Sequence, residues 1–207
     1  MVKRSAVVAE PVIWRRIVVR ALTVLTFFTV VFGVLYPLFI TGAANLFFPH
    51  QAQGSLVEAD GRIVGSELIG QDFSGGAWFE SRPSATTPVY NAAASAASNL
   101  STDNPVFKSE VTERLKALQT REDRSDTPPA ELLTASASGI DPHISVEAAL
   151  WQVGRIARQT GISPDKLTEM IDECAQMSLF GGSRYVNVLE LNLRLKAQIS
   201  KTRPNPH

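Results

Sequence analysis

Apolar residues follow three patterns along this chain: an unbroken run, short alternations, and stripes at helical spacing. The run comes first. From Ala21 to Ile40 the sequence reads ALTVLTFFTVVFGVLYPLFI. About 20 such residues at about 1.5 Å each span roughly 30 Å, the hydrocarbon thickness of a bilayer. A charged side chain at mid-helix costs about 2.5–3.5 kcal/mol on insertion scales. No formally charged residue occurs between Arg20 and Glu58. The pattern predicts one transmembrane helix over 17–40, a short segment 1–16 before it, and one domain over 41–207 after it.

Charge sets the orientation. Lys3, Arg4, Arg15, Arg16 and Arg20 precede the run, and no Lys or Arg follows it until Arg62. The positive-inside rule places 1–16 in the cytoplasm and 41–207 outside. Tyr36, Phe47, Phe48, Pro49 and His50 form an interfacial belt at the outer end, with Trp14 at the inner one. Gly42, Ala43 and Ala44 also make an acceptable signal-peptide cleavage site, but a signal h-region is normally about 7–15 residues and this run is longer. The expectation is an uncleaved anchor; either reading exports the bulk of the chain. Thr23, Thr26 and Thr29 recur every three residues, near one helix face. Such a face can meet a partner helix or bond back to its own carbonyls.

Beyond the span, Leu56-Val57-Glu58 and Ile63-Val64 flank Asp60-Gly61 and predict a tight hairpin with a type I′ turn. Leu68-Ile69-Gly70 and Ala77-Trp78-Phe79 are further strand candidates, separated by Ser74-Gly75-Gly76. Asn91 to Asn99, NAAASAASN, fits a short helix or a small-residue loop. Asn104-Pro105 opens a helix, with Val106, Val111, Leu115 and Leu118 on one face to about Gln119. Thr120 to Pro129 is charged and Pro-containing, hence an expected exposed loop. After Asp141-Pro142, Ser145 caps a helix carrying Ala148, Ala149, Trp151, Gln152 and Ile156, closed by Gly161. Ser163-Pro164-Asp165 opens the next, with Leu167, Met170, Ile171 and Cys174 inward, and Gly181-Gly182 ends the pair. From Val186 to Leu195 the spacing fits both a strand and a helix; length and a capping Asn187 favour helix. The fold class is α+β: one N-terminal transmembrane helix followed by one exported mixed domain.

Composition adds mainly exclusions. The chain has 207 residues, with 20 basic and 20 acidic, and one cysteine. No basic face suggests nucleic acid, and a single cysteine forms no internal disulfide. Cys174 sits on a helical apolar face, where a buried, inert thiol is expected. There is no P-loop and no GxGxxG. His50, His143 and His207 are scattered without metal-ligand spacing, so no metal or bound cofactor is expected. Ser136, Ser138, Asp141 and His143 form the one constellation with hydrolase residue types, but the GxSxG elbow is missing. Turn chemistry accounts for the same residues, with Gly139 at positive φ.

Several strings are unusual in combination. They are GSELIGQDF (65–73), with Gly70, Gln71 and Phe73; WFESRPSA (78–85), with Arg82, Pro83 and Ser84; Ser98-Asn99-Leu100; TASASGIDPHIS (134–145), with Ser136, Ser138, Gly139, Asp141 and Ser145; and VNVLELNL (186–193), with Asn187, Glu190 and Asn192. In this order behind one span, they resemble the C subunit of the Kdp-type potassium-transporting P-type ATPase of bacteria, over about Thr29 to Leu195. The resemblance implies a non-catalytic subunit of an inner-membrane, high-affinity potassium uptake complex. Its implied partners are a potassium-translocating subunit, an ATP-hydrolysing subunit and the bilayer. It also implies a need for the subunit in assembly and activity, and a role as a catalytic chaperone raising the ATP affinity of the hydrolysing subunit. ATP is used by the complex; the phosphorylation motif DKTGT is absent from this chain. Two departures stand out: Ala96-Ala97 replaces a usual Gly pair, and Pro128 replaces a common β-branched residue. Two other readings remain open: an anchored serine hydrolase using Ser136 or Ser138 with His143, and a small-ligand binding module.

Overall fold

The computed structural model describes residues 14–178 and 181–202; Lys3, Arg4 and His207 lie outside them. The chain divides into a helical unit up to Gln53 and a mixed unit from Gly54 onward.

The helical unit comprises α1 (Trp14–Val30), a π-helical turn (Val31–Leu35), α2 (Tyr36–Phe47) and α3 (Pro49–Ala52). The first three run on as one 34-residue helix, Trp14–Phe47, long and apolar enough to cross a membrane. It extends past the expected 17–40 at both ends. The π turn has a local cause. Pro37 has no N–H, and its ring would press on the carbonyl of Gly33, four residues back. One residue earlier, the Tyr36 N–H reaches five residues back, to Val31 O, which opens the helix ahead of the ring. Thr23 Oγ1 donates to Val19 O at 2.8 Å, so this hydroxyl bonds back to its own helix.

The mixed unit starts with a hairpin, β1 (Leu56–Ala59) and β2 (Arg62–Ser66). Its turn has Asp60 at φ 54° and Gly61 at φ 72°, the two positive values that a type I′ turn requires. The register steps from Val57↔Gly65 to Glu58↔Ile63, leaving Val64 as a bulge. A Cβ on Gly65 would displace the Gln71 carboxamide, which there donates to Val64 O, and crowd Leu189.

Among the described residues no further strand forms between β2 and residue 143; a 3₁₀ turn over Ala92–Ala94 is capped by Asn91. The expected strands Leu68–Gly70 and Ala77–Phe79 are absent. The backbone of Phe79 bonds the side-chain amide of Asn192 instead of a neighbouring strand. Then come α4 (Pro105–Glu122), a 3₁₀ turn (Ala130–Leu132), β3 (His143–Ser145), α5 (Val146–Thr160), α6 (Pro164–Cys174), β4 (Gln176–Met177), β5 (Arg184–Asn187) and α7 (Val188–Thr202). Strand β5 is central in an antiparallel sheet of order β3-β5-β4. The ambiguous last element is therefore both: a strand to Asn187, whose Oδ1 accepts the Glu190 N–H at 3.2 Å, then a helix.

Helices α5, α6 and α7 pack their apolar faces with this sheet. Ile144, Ile156, Leu167, Ile171, Val186, Val188, Leu191 and Leu195 are fully buried, and Phe79 joins them from its loop. Ser145 and Ser163 cap α5 and α6, and Gly161 at φ 75° ends α5. Helix α4 runs to Glu122 rather than Gln119, ending at left-handed Asp123. The expected exposed loop thus hides one charge: Glu122 is 1% exposed. Val106, expected inward, is exposed.

Candidate functional site

The turn from Ser136 to Ser145 is the centre of a loop platform. Gly139 has φ 69°, and a Cβ on it would lie 2.5 Å from Ala96 O and 2.7 Å from Thr86 Cγ2. Only glycine fits on both grounds. The Ser136 hydroxyl accepts the Gly139 N–H at 2.9 Å, and Ser138 Oγ accepts the Ile140 N–H at 3.2 Å. Across the turn, Ser84 Oγ donates to Gly139 O at 2.6 Å and accepts the N–H groups of Thr86 and Tyr90. Ser138 O receives Ala96 N–H and Ser95 Oγ. Ser136 N–H reaches Pro83 O, and Gly70 N–H reaches Ile140 O. Gly70 is also sterically required, since a Cβ would lie 2.6 Å from Asp141 O. Arg82 faces Asp141 at 3.5 Å. Three other segments, around Gly70, 82–90 and 95–96, therefore meet at this one turn, tied mostly by backbone and hydroxyl groups.

Asp141 does not cap α5. Its Oδ1 accepts the His143 N–H at 3.0 Å in a local turn. The cap is Ser145 alone, whose Oγ accepts the Ala148 N–H at 3.0 Å and itself bonds Glu131. Ser98 and Asn99 are exposed; Asn99 sits at φ 51°. Ala96 and Ala97 do not have positive φ, so the replaced Gly pair leaves no strain here.

The hydrolase constellation does not assemble. Among the described residues, neither Ser136 nor Ser138 bonds His143, and both hydroxyls are engaged by backbone amides. The His143 ring packs edge-on against Tyr185, centroids 5.0 Å apart. Burial pushes its pKa below the ordinary histidine value, against the opposing pull of Asp141. Among the described residues there is also no group of His, Cys, Asp and Glu fit to hold a metal.

Beside the platform lie two amide clamps. Asn192 on α7 accepts the Phe79 N–H at 2.9 Å and donates to Phe79 O at 2.8 Å. Gln152 on α5 does the same for Glu80, at 2.9 and 3.1 Å. The next turn of α5 supplies Arg155, 2% exposed. Its Nε donates to Glu122 at 2.6 Å, and its other nitrogens reach Trp78 O, Gly76 O and Gln152 Oε1. Such a buried pair holds only when its polar groups are satisfied; here the loop carbonyls and Gln152 take the guanidinium donors, while Glu122 Oε2 has no hydrogen-bond partner among the described residues. Sequence reading missed Arg155 and Glu122; a charged residue one turn from Gln152, on the inward face of α5, was the available signal. Asn187 Nδ2 reaches Glu67 O, Gln71 Nε2 reaches Val64 O, and Phe73 packs on the core. Glu190 pairs with Arg194 on the surface.

Between α4 and this loop runs a groove of about 310 Å³, lined among others by Ser81, Tyr90, Arg114 and Arg121. Its arginines are already matched: Arg121 lies 2.7 Å from Glu80, and Arg114 lies 2.9 Å from Glu110. It therefore offers no open anion site. Chemically, the whole arrangement fixes loops and presents a surface rather than activating a nucleophile.

Comparison with known proteins agrees with this character. The family model described as "K+-transporting ATPase, c chain" (KdpC) matches residues 18–197. A protein of Methylococcus capsulatus named "Potassium-transporting ATPase KdpC subunit" is 44% identical over 181 residues, covering 86% of this chain and 95% of its own. The protein of the same name from Dechloromonas aromatica is 46% identical over 180 residues, covering 84% and 94%. That from Photorhabdus laumondii is 44% identical over 187 residues, covering 88% and 95%. The match runs through the apolar helix and both amide clamps, and on it the chain belongs to the family of K+-transporting ATPase c chains.

Proposed function

We propose that this chain is a non-catalytic subunit of an ATP-driven potassium uptake complex in the bacterial inner membrane. It is held by one uncleaved span with 1–16 cytoplasmic, and 41–207 lie outside. The observation that carries the reading is the family match over 18–197, which spans the apolar helix and the domain together. The basic residues before the helix support the orientation. The partners are a potassium-translocating subunit and an ATP-hydrolysing subunit, with the bilayer around the span. The loop platform built on Gly70, Arg82, Ser84, Gly139 and Asp141 serves as a rigid cap and scaffold over the ion entrance. It contributes to assembly and activity by shape, not by chemistry. A raised ATP affinity of the hydrolysing subunit is then an indirect effect through partner contacts, because nucleotide is cytoplasmic and the domain is outside. Pull-down from membranes of cells grown at low potassium tests the reading: two larger membrane proteins should co-purify. ATP affinity of the complex should fall when this chain is withheld. Recovery of the chain alone, or labelling of Ser136 or Ser138 by a serine-reactive probe, overturns it.

A further inference from the structure

The π turn and Pro37 together leave backbone carbonyls of the apolar helix short of donors: Gly33 O lacks the one that position 37 would supply, and Phe32 O is the second. The Tyr36 N–H, which would serve Phe32 O in an α-helix, goes to Val31 O instead. The next residue that could serve Phe32 O, five positions on, is Pro37, which has no N–H. No side-chain hydrogen bond to Phe32 O occurs among the described residues. This position lies well inside Trp14–Phe47. In hydrocarbon there is no water to complete the carbonyl, and an unsatisfied group there costs several kcal/mol. The neighbouring surface is open. Gly33 has no side chain, and the nearest atom to a Cβ built there is Thr29 Cγ2 at 3.9 Å. A second helix can therefore approach the backbone closely at this level.

Resting on the membrane-subunit reading above, we infer that the π turn at Val31–Leu35 is a docking point for a companion transmembrane helix. That helix carries a neutral donor side chain, a hydroxyl or a carboxamide, which bonds Phe32 O beside Gly33. Pro37 is what frees the carbonyl, so the helix gives up internal regularity in exchange for a partner-specific contact.

The experiment uses the full complex purified in mild detergent, with Pro37→Ala, Gly33→Leu and Val24→Leu in this chain. Val24 lies about half a turn from Gly33 around the helix. Pro37→Ala restores an N–H and lets the turn close, so circular dichroism of the isolated chain should show helicity kept or raised. Its association with the companion subunits should nevertheless fall about tenfold, equivalent to about 1.4 kcal/mol. Gly33→Leu should fall at least as far, and Val24→Leu should stay at the wild-type level. In addition, a ¹³C label at the Phe32 carbonyl should show a lower amide I frequency in the complex than in the isolated chain in lipid. Wild-type association of Pro37→Ala, or an unchanged carbonyl band on assembly, overturns the inference and leaves the subunit reading standing. Failure of the wild-type chain to co-purify with any companion defeats the subunit reading itself.

Discussion

Asn192 gives its whole side-chain amide to the backbone of one residue, Phe79, at 2% exposure. Asn192→Leu keeps the volume but leaves a buried N–H and a buried C=O without partners. Each orphan costs about 1–3 kcal/mol, so thermal unfolding of the full chain in detergent should show a loss of about 2–6 kcal/mol. Asn192→Asp keeps the acceptor for Phe79 N–H but sets a second buried oxygen against Phe79 O, so it should also destabilise, and more as pH rises and the carboxyl ionises. At the platform, Gly139→Val should lower the yield of assembled complex, since both its φ and the 2.5 Å approach of Ala96 O exclude a side chain. Asp141→Ala removes the partner of Arg82 and the His143 turn bond, and should lower the yield less. Ser138→Ala and His143→Ala should leave potassium-stimulated ATP hydrolysis of assembled complexes near normal. Loss by orders of magnitude in both would restore a catalytic role. His143 also predicts a pH dependence. Its folded pKa is depressed by burial, so below about pH 6.5 the unfolded chain binds the extra proton more readily. Stability should therefore rise with pH from below that value up to neutrality. His143→Gln should flatten the slope in unfolding experiments at several pH values.

Elements whose signals are local could be read from the sequence. The Asp60-Gly61 hairpin, the Asn104, Ser145 and Ser163 caps, the Gly161 stop and the inward stripe of α6 all rest on neighbours a few residues apart. What failed rests on distant partners. Leu68–Gly70 and Ala77–Phe79 have strand-like composition, but a strand needs a neighbour. Phe79 is instead met by Asn192, 113 residues away, and Glu80 by Gln152, 72 residues away. The polar run after Gln119 resembled a loop because Glu122 shows its burial only beside Arg155. The last element was ambiguous because it changes type at Asn187, and a single period fits neither half. The platform residues were legible as strings, while their convergence on Gly139 was not. At this scale, Ser145→Ala should cost about 0.5–2 kcal/mol through the lost α5 cap. Ser145→Asp should fare worse than an ordinary cap replacement, because Glu131 already contacts the hydroxyl. Comparative denaturation of the two variants checks this order.

For the molecule as a whole, the proposed topology makes a simple demand. Protease added to intact spheroplasts should digest the mixed unit and leave a small membrane-held fragment containing Trp14–Phe47. A mature N-terminus near Asn45 would instead mean a cleaved leader. The amide clamps add a constraint in time. The chain is made from its N-terminus, so the Phe79 segment emerges 113 residues before the side chain that completes it. Until α7 has emerged, two backbone groups of Phe79 have only water for partners, and the α5–α7 core is missing a wall. The domain therefore cannot finish folding during the early part of synthesis. On the proposed topology, that order lets the segment cross the membrane before its last helix completes the core. A chain stopped after Asn187 should consequently insert normally yet remain protease-sensitive around Gly75–Glu80, a clock reading of the order in which the molecule is completed.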